Sequence, residues 1–398
     1  MDDLPSLTTA ETAARLGVKP ASLYAYVSRG LLTRMRTAHG SRFDALEVER
    51  FARSRRRADP VGVVPGSPLM VLDTDIALIE DGNLYFRGHD ALELTRERSF
   101  ERLARWIWGQ PDSAAPFVVD SDAWDAARSL AAAVPGDAAL TRMRAAVLGL
   151  GAHAAGADTA ATPQAAVRAG ERLLAVLPRV VGGSAGFAEE SVAKTLAVAL
   201  SGRESTPELV AVMDRALGLA IDHDLAVSTL AARVAASARS SAYASVSAAL
   251  AAFDSPLHGT VSRDAVVLLR RVHAGQSPAR ALRAGDTARF GIPGFGHRIY
   301  RGPDPRALAI LEDIAALDHD GSVRGAVAQL SAAVRDRAGL HPNIDLALAA
   351  LVLAGGLRDD AGVVLFGIGR VVGWIAHIAD EYQRAPMRLR PQGRYTGP

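Results

Sequence analysis

Apolar residues recur along most of this chain at the three- and four-residue spacing of helices. The pattern begins after residue 68 and is carried by long stretches of Ala, Leu and Val, most of which end at Gly, Pro or Asp. The predicted helices cover residues 122–134, 138–155, 163–178, 188–201, 207–221, 225–236, 241–253, 263–274, 305–316, 322–338, 344–355 and 362–382. Alternating runs typical of strands are missing, so the sequence predicts a mostly α fold rather than a doubly wound sheet.

One hairpin is the exception to this helical pattern. Residues 71–78 and 83–87 flank Asp81-Gly82, a pair that favours a tight turn between two strands. The sequence therefore predicts a short paired segment at the start of the helical region.

The first 57 residues predict a small domain of their own. The expected elements are a helix over 10–16, a second helix over 21–29, a strand pair with Gly40 at its turn, and a helix over 44–57. Residues 58–67 are rich in Pro, Gly and Val without a helical period, and they predict a linker.

This order of elements resembles the winged helix-turn-helix of the MerR/excisionase type. The resemblance implies DNA as a partner, with a helix that reads a groove and a basic wing near phosphates. The residues implied are Ser22, Tyr24, Tyr26, Arg29, Arg34, Arg36 and Arg42. An appendage that binds no DNA is the alternative, because helix-turn-helix pairs also serve as protein contacts.

Composition narrows the class of protein. The 398 residues suffice for two or three domains, and the absence of cysteine excludes disulfides and thiolate metal sites. The acidic start does not suit a signal peptide, and no apolar run approaches the roughly 20 residues of a membrane span. We therefore expect a cytoplasmic protein without a membrane partner. Residues 1–60 hold eleven Lys and Arg against seven Asp and Glu, so the positive charge is concentrated at the N-terminus.

Candidate chemistry lies in segments that combine His, Asp or Arg with Gly or Pro, where helices end and side chains can face a cleft. These segments are Ser255-Pro256-Leu257-His258-Gly259, Gly294-Phe295-Gly296-His297-Arg298, Asp304-Pro305-Arg306 and His341-Pro342-Asn343-Ile344-Asp345. Two histidines, a carboxylate and an arginine are the groups needed for proton transfer beside an anionic substrate. Each segment alone is more often a helix cap, and Asp345 in particular suits the first turn of a helix.

Together these segments resemble the citrate synthase family, and the resemblance runs from about residue 72 to residue 397. It includes Tyr85-Phe86-Arg87-Gly88-His89-Asp90, Asp222-His223-Asp224, Gly369-Arg370, Gly373-Trp374-Ile375-Ala376-His377 and Arg390-Pro391. One histidine of the family's His-Ala-Asp-His-Glu is replaced by Ala220, although the histidine that the family uses for substrate is kept as His223.

The resemblance implies a two-domain helical fold and an acyltransferase that condenses acetyl-CoA with oxaloacetate. The large domain would comprise 68–260 and 362–398, the small domain 261–361, and closure between them would exclude water. Asp345 would be the base, His258 the donor to the thioester oxygen, and His297 the group that polarises the ketone.

Substrate contacts follow from the same resemblance. Oxaloacetate carries two carboxylates, which suit guanidinium forks, and its implied binders are His223, Arg306, Arg370 and Arg390. Arg390 comes from the neighbouring subunit in this family, which implies a homodimer with shared active sites. The implied CoA contacts are Arg301, Gly294, Gly296 and Asn343. No metal and no cofactor is expected, since acetyl-CoA is a substrate.

Three alternatives stay open at this point. A 2-methylcitrate synthase using propionyl-CoA differs by one methylene, which is worth only about 1–3 kcal/mol in a pocket. A DNA-binding regulator could sense acetyl-CoA or oxaloacetate through a synthase-like domain. A subunit that lends Arg390 to a different paralogue is the third.

Overall fold

The computed structural model describes residues 6–37, 40–45, 47–48, 51–52, 72–136, 138–182, 190–283 and 291–388. The chain divides into two compact units. The first unit is Met1–Asp73 with Val261–Gly362, and the second unit is Thr74–Thr260 with Val363–Pro398. The predicted linker, residues 58–67, and the predicted substrate residue Arg390 lie outside the described residues.

The N-terminal part of the first unit contains two short helices and a small sheet. Its elements are β1 (Ser6–Thr8), α1 (Thr9–Leu16), α2 (Pro20–Ser28), β2 (Arg34–Thr37) and β3 (Gly40–Asp44). Thr8 and Glu11 form a capping box at the start of α1, in which the Thr8 hydroxyl accepts from the Glu11 amide at 3.2 Å. Gly17 ends α1 in the left-handed conformation.

The sheet has the order β1-β3-β2 and packs its own apolar cluster, in which Leu7, Leu23 and Phe43 are almost fully buried. Strand β1 was not predicted, because three residues are too short to show a period and pair only with the distant β3. In the β2–β3 register, Arg34 lies opposite Phe43 and Met35 lies opposite Arg42. Directly opposed residues share a face of a sheet, so Arg42 lies on the other face from Arg34 and Arg36.

The remainder of the first unit is helical. It comprises α12 (Val261–His273), α13 (Pro278–Arg283), α14 (Pro305–Asp313), a 3-10 turn (Ile314–Ala316), α15 (Ser322–Ala338) and α16 (Ile344–Ala354). Helix α16 packs against α12, α14 and α15, and all its residues from Ile344 to Val352 are buried. A helix that is apolar on all sides in this way forms the core of its unit.

The second unit opens with a three-stranded hairpin sheet and continues with helices. Its strands are β4 (Ala77–Glu80), β5 (Asn83–Phe86) and β6 (His89–Asp90). Its helices are α3 (Ala91–Glu97), α4 (Phe100–Ile107), α5 (Ser121–Ala132), α6 (Ala139–His153), α7 (Pro163–Gly182), α8 (Val192–Ser201), α9 (Pro207–Leu219), α10 (Val227–Ser237), α11 (Ala242–Phe253) and α17, which spans Ala361–Gln383. A 3-10 turn, Gly156–Asp158, lies between α6 and α7.

Helix α17 corrects the expectation that no apolar stretch reaches the length of a membrane span. Its mean hydropathy is 1.7 over an 18-residue window, and that window is fully buried inside the protein. Gly369 and Gly373 let it approach the end of α9, because a Cβ at Gly373 would meet the Ile221 carbonyl oxygen at 2.2 Å. The helix is therefore a core helix of the second unit.

Each of the twelve predicted helices corresponds to a helix of the structure, with ends shifted by a few residues. The predicted mostly α fold is confirmed, and each small sheet adds one strand, β1 or β6, to a predicted strand pair. Helices α3, α4 and α13 were missed because each is only six to eight residues long. The predicted hairpin is present, but its first strand covers 77–80 rather than 71–78.

Candidate active site

Two motif segments of the first unit are joined by backbone hydrogen bonds. The Gly296 amide donates to the His341 carbonyl at 2.8 Å, and the Asn343 amide donates to the Gly294 carbonyl at 3.0 Å. The Asn343 side chain donates to the Gly296 carbonyl at 3.0 Å and accepts from the Asp345 amide at 3.0 Å. Asn343 thus caps α16 and ties the two segments together.

The two glycines of Gly294-Phe295-Gly296 are required by this arrangement. Both have positive φ, at 82° and 80°. A Cβ at Gly294 would meet the Leu346 Cβ at 2.9 Å, and one at Gly296 would meet Leu340 at 3.0 Å. Their predicted contact with CoA stays a prediction, whereas their role in bringing the loop onto α16 follows from these distances.

Asp304 and Arg306 form a fully buried ion pair at the start of α14. The Arg306 Nε donates to Asp304 Oδ1 at 3.0 Å and its Nη2 donates to Oδ2 at 2.7 Å. Asp304 also accepts from the Ile344 amide at 3.2 Å, which links α14 to the start of α16. Burial alone would raise the pKa of Asp304, but the charge of Arg306 and its hydrogen bonds outweigh it and hold the pKa below its usual value.

The ring of His297 is oriented by the backbone of its own loop. Its Nδ1 accepts from the amides of Ile299 and Tyr300, at 3.0 and 3.2 Å. Burial, with the nearby charge of Arg306, lowers the pKa of His297 to about 4. The ring is therefore neutral at pH 7, and because Nδ1 is an acceptor its proton resides on Nε2, which is a hydrogen-bond donor.

Asp345 lies in the first turn of α16, where the helix dipole and Arg306 both favour the carboxylate. Burial has the larger effect and raises the pKa of Asp345 to about 7. Its Oδ1 is buried and makes no hydrogen bond to any residue in the described part of the chain. A carboxylate with this pKa can accept a proton at neutral pH and release it again.

In the second unit, His258 lies in the turn that follows α11. Its Nε2 is 2.7 Å from the hydroxyl of Ser228, and its ring packs edge-on against Phe253 with centroids 5.2 Å apart. Burial, followed by the charge of Arg370, lowers the pKa of His258 to about 4. His258 is therefore also a neutral ring near pH 7.

Arg370 contacts the segment of the second unit that carries His223. The Arg370 Nε donates to the Ala220 carbonyl at 2.9 Å, and its Nη1 lies 3.8 Å from Asp222 Oδ1. Its guanidinium also stacks on Phe366, with its carbon 5.0 Å from the ring centroid. His223 follows Asp222 directly and is buried.

Of the predicted CoA contacts, Arg301 is exposed in the loop before α14. Among the described residues, no group of three or more His, Asp or Glu side chains is arranged to hold a metal ion. Three residues without a predicted role contact a predicted site residue or its neighbour: Ser228, Asp222 and His377. Asp222 and His377 lie within motifs that resemble the family and could have been singled out, whereas no sequence motif marks Ser228.

Comparisons with known proteins agree with these observations. A sequence model of the family described as "Citrate synthase, C-terminal domain" matches residues 67–392. Citrate synthase 2 of Bacillus subtilis is 27% identical over 351 residues, which cover 82% of this chain and 93% of the relative. Citrate synthase of Saccharolobus solfataricus is 32% identical over 219 residues, or 52% of this chain and 58% of the relative.

Solved structures show the same fold. A citrate synthase from Thermoplasma acidophilum, in a ternary complex with carboxymethyl coenzyme A and oxaloacetate, superposes with a TM-score of 0.70 at 22% identity. That match covers 83% of this chain and 95% of the other. Citrate synthase from Pyrobaculum aerophilum gives 0.67 at 23% identity, covering 92% and 95%. Citrate synthases use acetyl-CoA as a substrate without a metal or cofactor. With its family match over most of its length, the chain belongs to the citrate synthase family and is an enzyme of the citrate synthase type.

Proposed function

We propose that the protein condenses acetyl-CoA, or another short acyl-CoA, with oxaloacetate to give citrate and CoA. The observation that carries this proposal is Asp345, whose buried carboxylate has a pKa of about 7 and an unbonded buried oxygen within the described part of the chain. Membership of the citrate synthase family supports the reaction class.

Asp345 removes a proton from the methyl group of the thioester, and the resulting enolate attacks the ketone of oxaloacetate. The methyl group is far less acidic than any side chain, so charge that develops on the thioester oxygen must be stabilised by a donor placed in advance. His258 fills that role. A neutral ring suits it better than an imidazolium, because a neutral donor stabilises the enolate without protonating it fully.

The direction of the Ser228 contact follows from this role. If Ser228 donates to Nε2, the single proton of His258 lies on Nδ1 and is available to the thioester. His297 donates from Nε2 to the ketone oxygen and then protonates the new alkoxide. Water completes the reaction by hydrolysing the citryl thioester.

The two carboxylates of oxaloacetate are bound by His223, Arg306 and Arg370, with Arg390 of a second subunit. The buried, fixed guanidinium groups of Arg306 and Arg370 support this assignment, since preorganised forks bind carboxylates at low entropic cost. We also propose that residues 261–361 act as the small domain, and that Arg301, Gly294, Gly296 and Asn343 contact CoA.

The decisive experiment measures CoA thiol release by the purified protein with oxaloacetate. Acetyl-CoA and propionyl-CoA are supplied in parallel, and Asp345→Asn is the matched control because it keeps the shape of the side chain. Release that requires oxaloacetate and disappears in the variant supports the proposal, and the faster thioester distinguishes citrate from 2-methylcitrate synthesis. A folded wild-type protein without release would refute it.

The proposed homodimer is tested separately by light scattering of the purified protein. Mixing an inactive Asp345→Asn protein with an Arg390→Ala protein then tests shared sites. If each site draws on both subunits, hybrid dimers regain one intact site, whereas independent sites stay inactive. Activity that depends on a different paralogue would favour the third alternative.

DNA binding is a second candidate function, favoured by the basic N-terminal part of the first unit. Arg29 and Arg36 are exposed, and Tyr24 is 51% exposed with Arg34 stacked 5.8 Å from its ring centroid. Two acidic neighbours in the described part of the chain make internal hydrogen bonds, since Glu11 caps α1 and Glu47 accepts from Thr33. Exposed positive charge beside internally bonded acids suits a phosphate backbone.

A gel shift with genomic DNA at several salt concentrations tests this second function. We expect affinity to fall as salt rises, and Arg36→Gln to weaken binding and reduce the salt slope. Arg42→Gln is the control, because Arg42 lies on the other face of the hairpin. Equal effects of the two substitutions, or an affinity that ignores salt, would remove this surface from consideration.

A further inference from the structure

Asp222 and His377 form a buried pair that no step above uses. The His377 Nε2 lies 2.9 Å from Asp222 Oδ2, and both side chains are about 1% exposed. A carboxylate can only accept, and the pKa of Asp222 is held below its usual value by His377 and Arg370 despite burial. His377 must therefore be the donor through Nε2–H.

The remaining nitrogen of His377 leaves Asp222 as the one described hydrogen-bond partner of the ring. Nδ1 is buried and has no hydrogen-bond partner among the residues that the structure describes. The pair is thus a buried carboxylate held by the Nε2–H of a buried imidazole.

Asp222 contacts both substrate residues of the second unit. The backbone amide of His223 donates to its carboxylate, and Arg370 Nη1 lies 3.8 Å from its Oδ1. The Asp222 carboxylate therefore contacts both residues of this unit that are proposed to bind oxaloacetate, His223 and Arg370. If its rotamer changed, both the guanidinium of Arg370 and the backbone at His223 would lose a fixed partner.

The sequence spacing of α17 explains how His377 reaches Asp222. Gly369, Gly373 and His377 are four residues apart and lie on one face of the helix. The two glycines allow the backbone to approach the carbonyl oxygens of Leu217 and Ile221, where any Cβ would collide. One turn further on, the first large side chain of that face meets Asp222.

We propose that His377 is a positioning residue: through Asp222 it fixes Arg370 and His223 in the geometry that binds the carboxylates of oxaloacetate. This inference rests on the proposed function, because it assigns the support of that substrate site. His377 itself touches no substrate, and its contribution lies in the affinity for oxaloacetate rather than in the chemical step.

The test compares His377→Leu, which removes the donor, with His377→Gln, whose side-chain amide can reach the position of Nε2. We expect His377→Leu to raise the KM and the calorimetric Kd for oxaloacetate about tenfold, with the KM for acetyl-CoA within about twofold of wild type. His377→Gln should recover most of the oxaloacetate affinity. His273→Leu is the control, because His273 is hydrogen-bonded to Ser322 on the exposed side of α12.

The outcomes distinguish a failure of the inference about His377 from a failure of the proposed function. A folded His377→Leu protein with wild-type affinity for oxaloacetate overturns the inference, and so does a Gln variant no better than Leu. If Leu does not fold, His377→Asn, whose amide is too short to reach Asp222, takes its place. A wild-type protein that binds oxaloacetate without releasing CoA refutes the proposed function, while the binding measurement still tests the pair.

Discussion

Arg306 donates two parallel hydrogen bonds to Asp304, the residue two positions before it, and both side chains are buried. Asp304 holds one edge of the guanidinium and also accepts from the start of α16, so the arginine is oriented before any substrate arrives. A buried charge pair of this kind adds little net stability over an apolar pair, but breaking it is costly. The ion pair therefore serves mainly to fix the geometry of Arg306, the proposed oxaloacetate binder.

The first prediction is that Asp304→Ala destabilises the protein strongly. Loss of the carboxylate leaves the Arg306 charge buried without its partner, which costs about 3–5 kcal/mol of unfolding free energy. Urea denaturation measures this cost, and Asp336→Asn, an exposed carboxylate on α15, is the control. A loss below roughly 1 kcal/mol would mean that Arg306 finds another partner and that Asp304 does not fix it.

The second prediction concerns the pH dependence of activity. Because the pKa of Asp345 is about 7, the base is protonated below that pH, and kcat should rise between pH 6 and pH 8 with one apparent ionisation. His258 and His297, with pKa values of about 4, remain neutral throughout this range. A pH–rate profile measures the rise in kcat. A profile that is flat from pH 5 to 8 would contradict Asp345 as the base.

The stability of Asp345→Asn gives an independent check on the same group. A carboxyl whose folded pKa is raised stabilises the protein below its unfolded pKa, and this contribution is lost as pH rises through about 7. Removing the charge should therefore leave the variant at least as stable as wild type at pH 8. A variant less stable than wild type at that pH would argue that the carboxylate is held by favourable contacts.

Asp345 shows which properties of a site residue can be predicted from the sequence and which cannot. Its position in a first helical turn followed from Pro342 and the apolar run of α16, and helix formation depends on such local spacing. Its raised pKa could not follow, because burial depends on how α12, α14 and α15 surround α16. Likewise, the sequence does not show that Arg42 lies on the opposite face from Arg34 and Arg36, because that depends on the register of the two strands.

The site features that the sequence analysis missed also depend on contacts made only in the folded protein. Ser228 lies thirty positions from His258 along the chain, and a lone serine at the start of a helix carries no signal of its own. His297 could be recognised from its motif, but its tautomer depends on two amides of a tight loop. Residue types and their order were therefore predictable, whereas protonation states and partners required the fold.

The third prediction tests the hydroxyl beside His258. Ser228→Ala removes the 2.7 Å contact to Nε2, so the proton of the ring is no longer directed to Nδ1. We expect kcat to fall about five- to tenfold, as for the loss of one hydrogen bond, with the KM for oxaloacetate unchanged. Ser245→Ala, a buried serine bonded to the Ser241 carbonyl, is the matched control. If KM rose and kcat stayed constant, Ser228 would serve substrate binding instead.

The last prediction concerns a carboxylate pair that the proposed chemistry does not use. Asp214 accepts from the Phe100 amide through both oxygens, while the buried Glu101 accepts from the Val192 amide at 2.8 Å. Burial, with the charge of Glu101, raises the pKa of Asp214 to about 7. Since the folded pKa lies above the unfolded value, stability should decline between about pH 4 and pH 7 as the proton is lost.

Asp214→Asn should remove that decline, because the amide keeps an acceptor for Phe100 and cannot ionise. The gain at pH 8 has an upper bound of roughly 4 kcal/mol from the shift in pKa, and less if the carboxylate relaxes toward water. Thermal unfolding at several pH values measures it, with Asp125→Asn as an exposed control. If wild type and Asp214→Asn instead lost stability in parallel from pH 5 to pH 8, the proton would be shared elsewhere, and the two acids would act only as caps for α4 and α8.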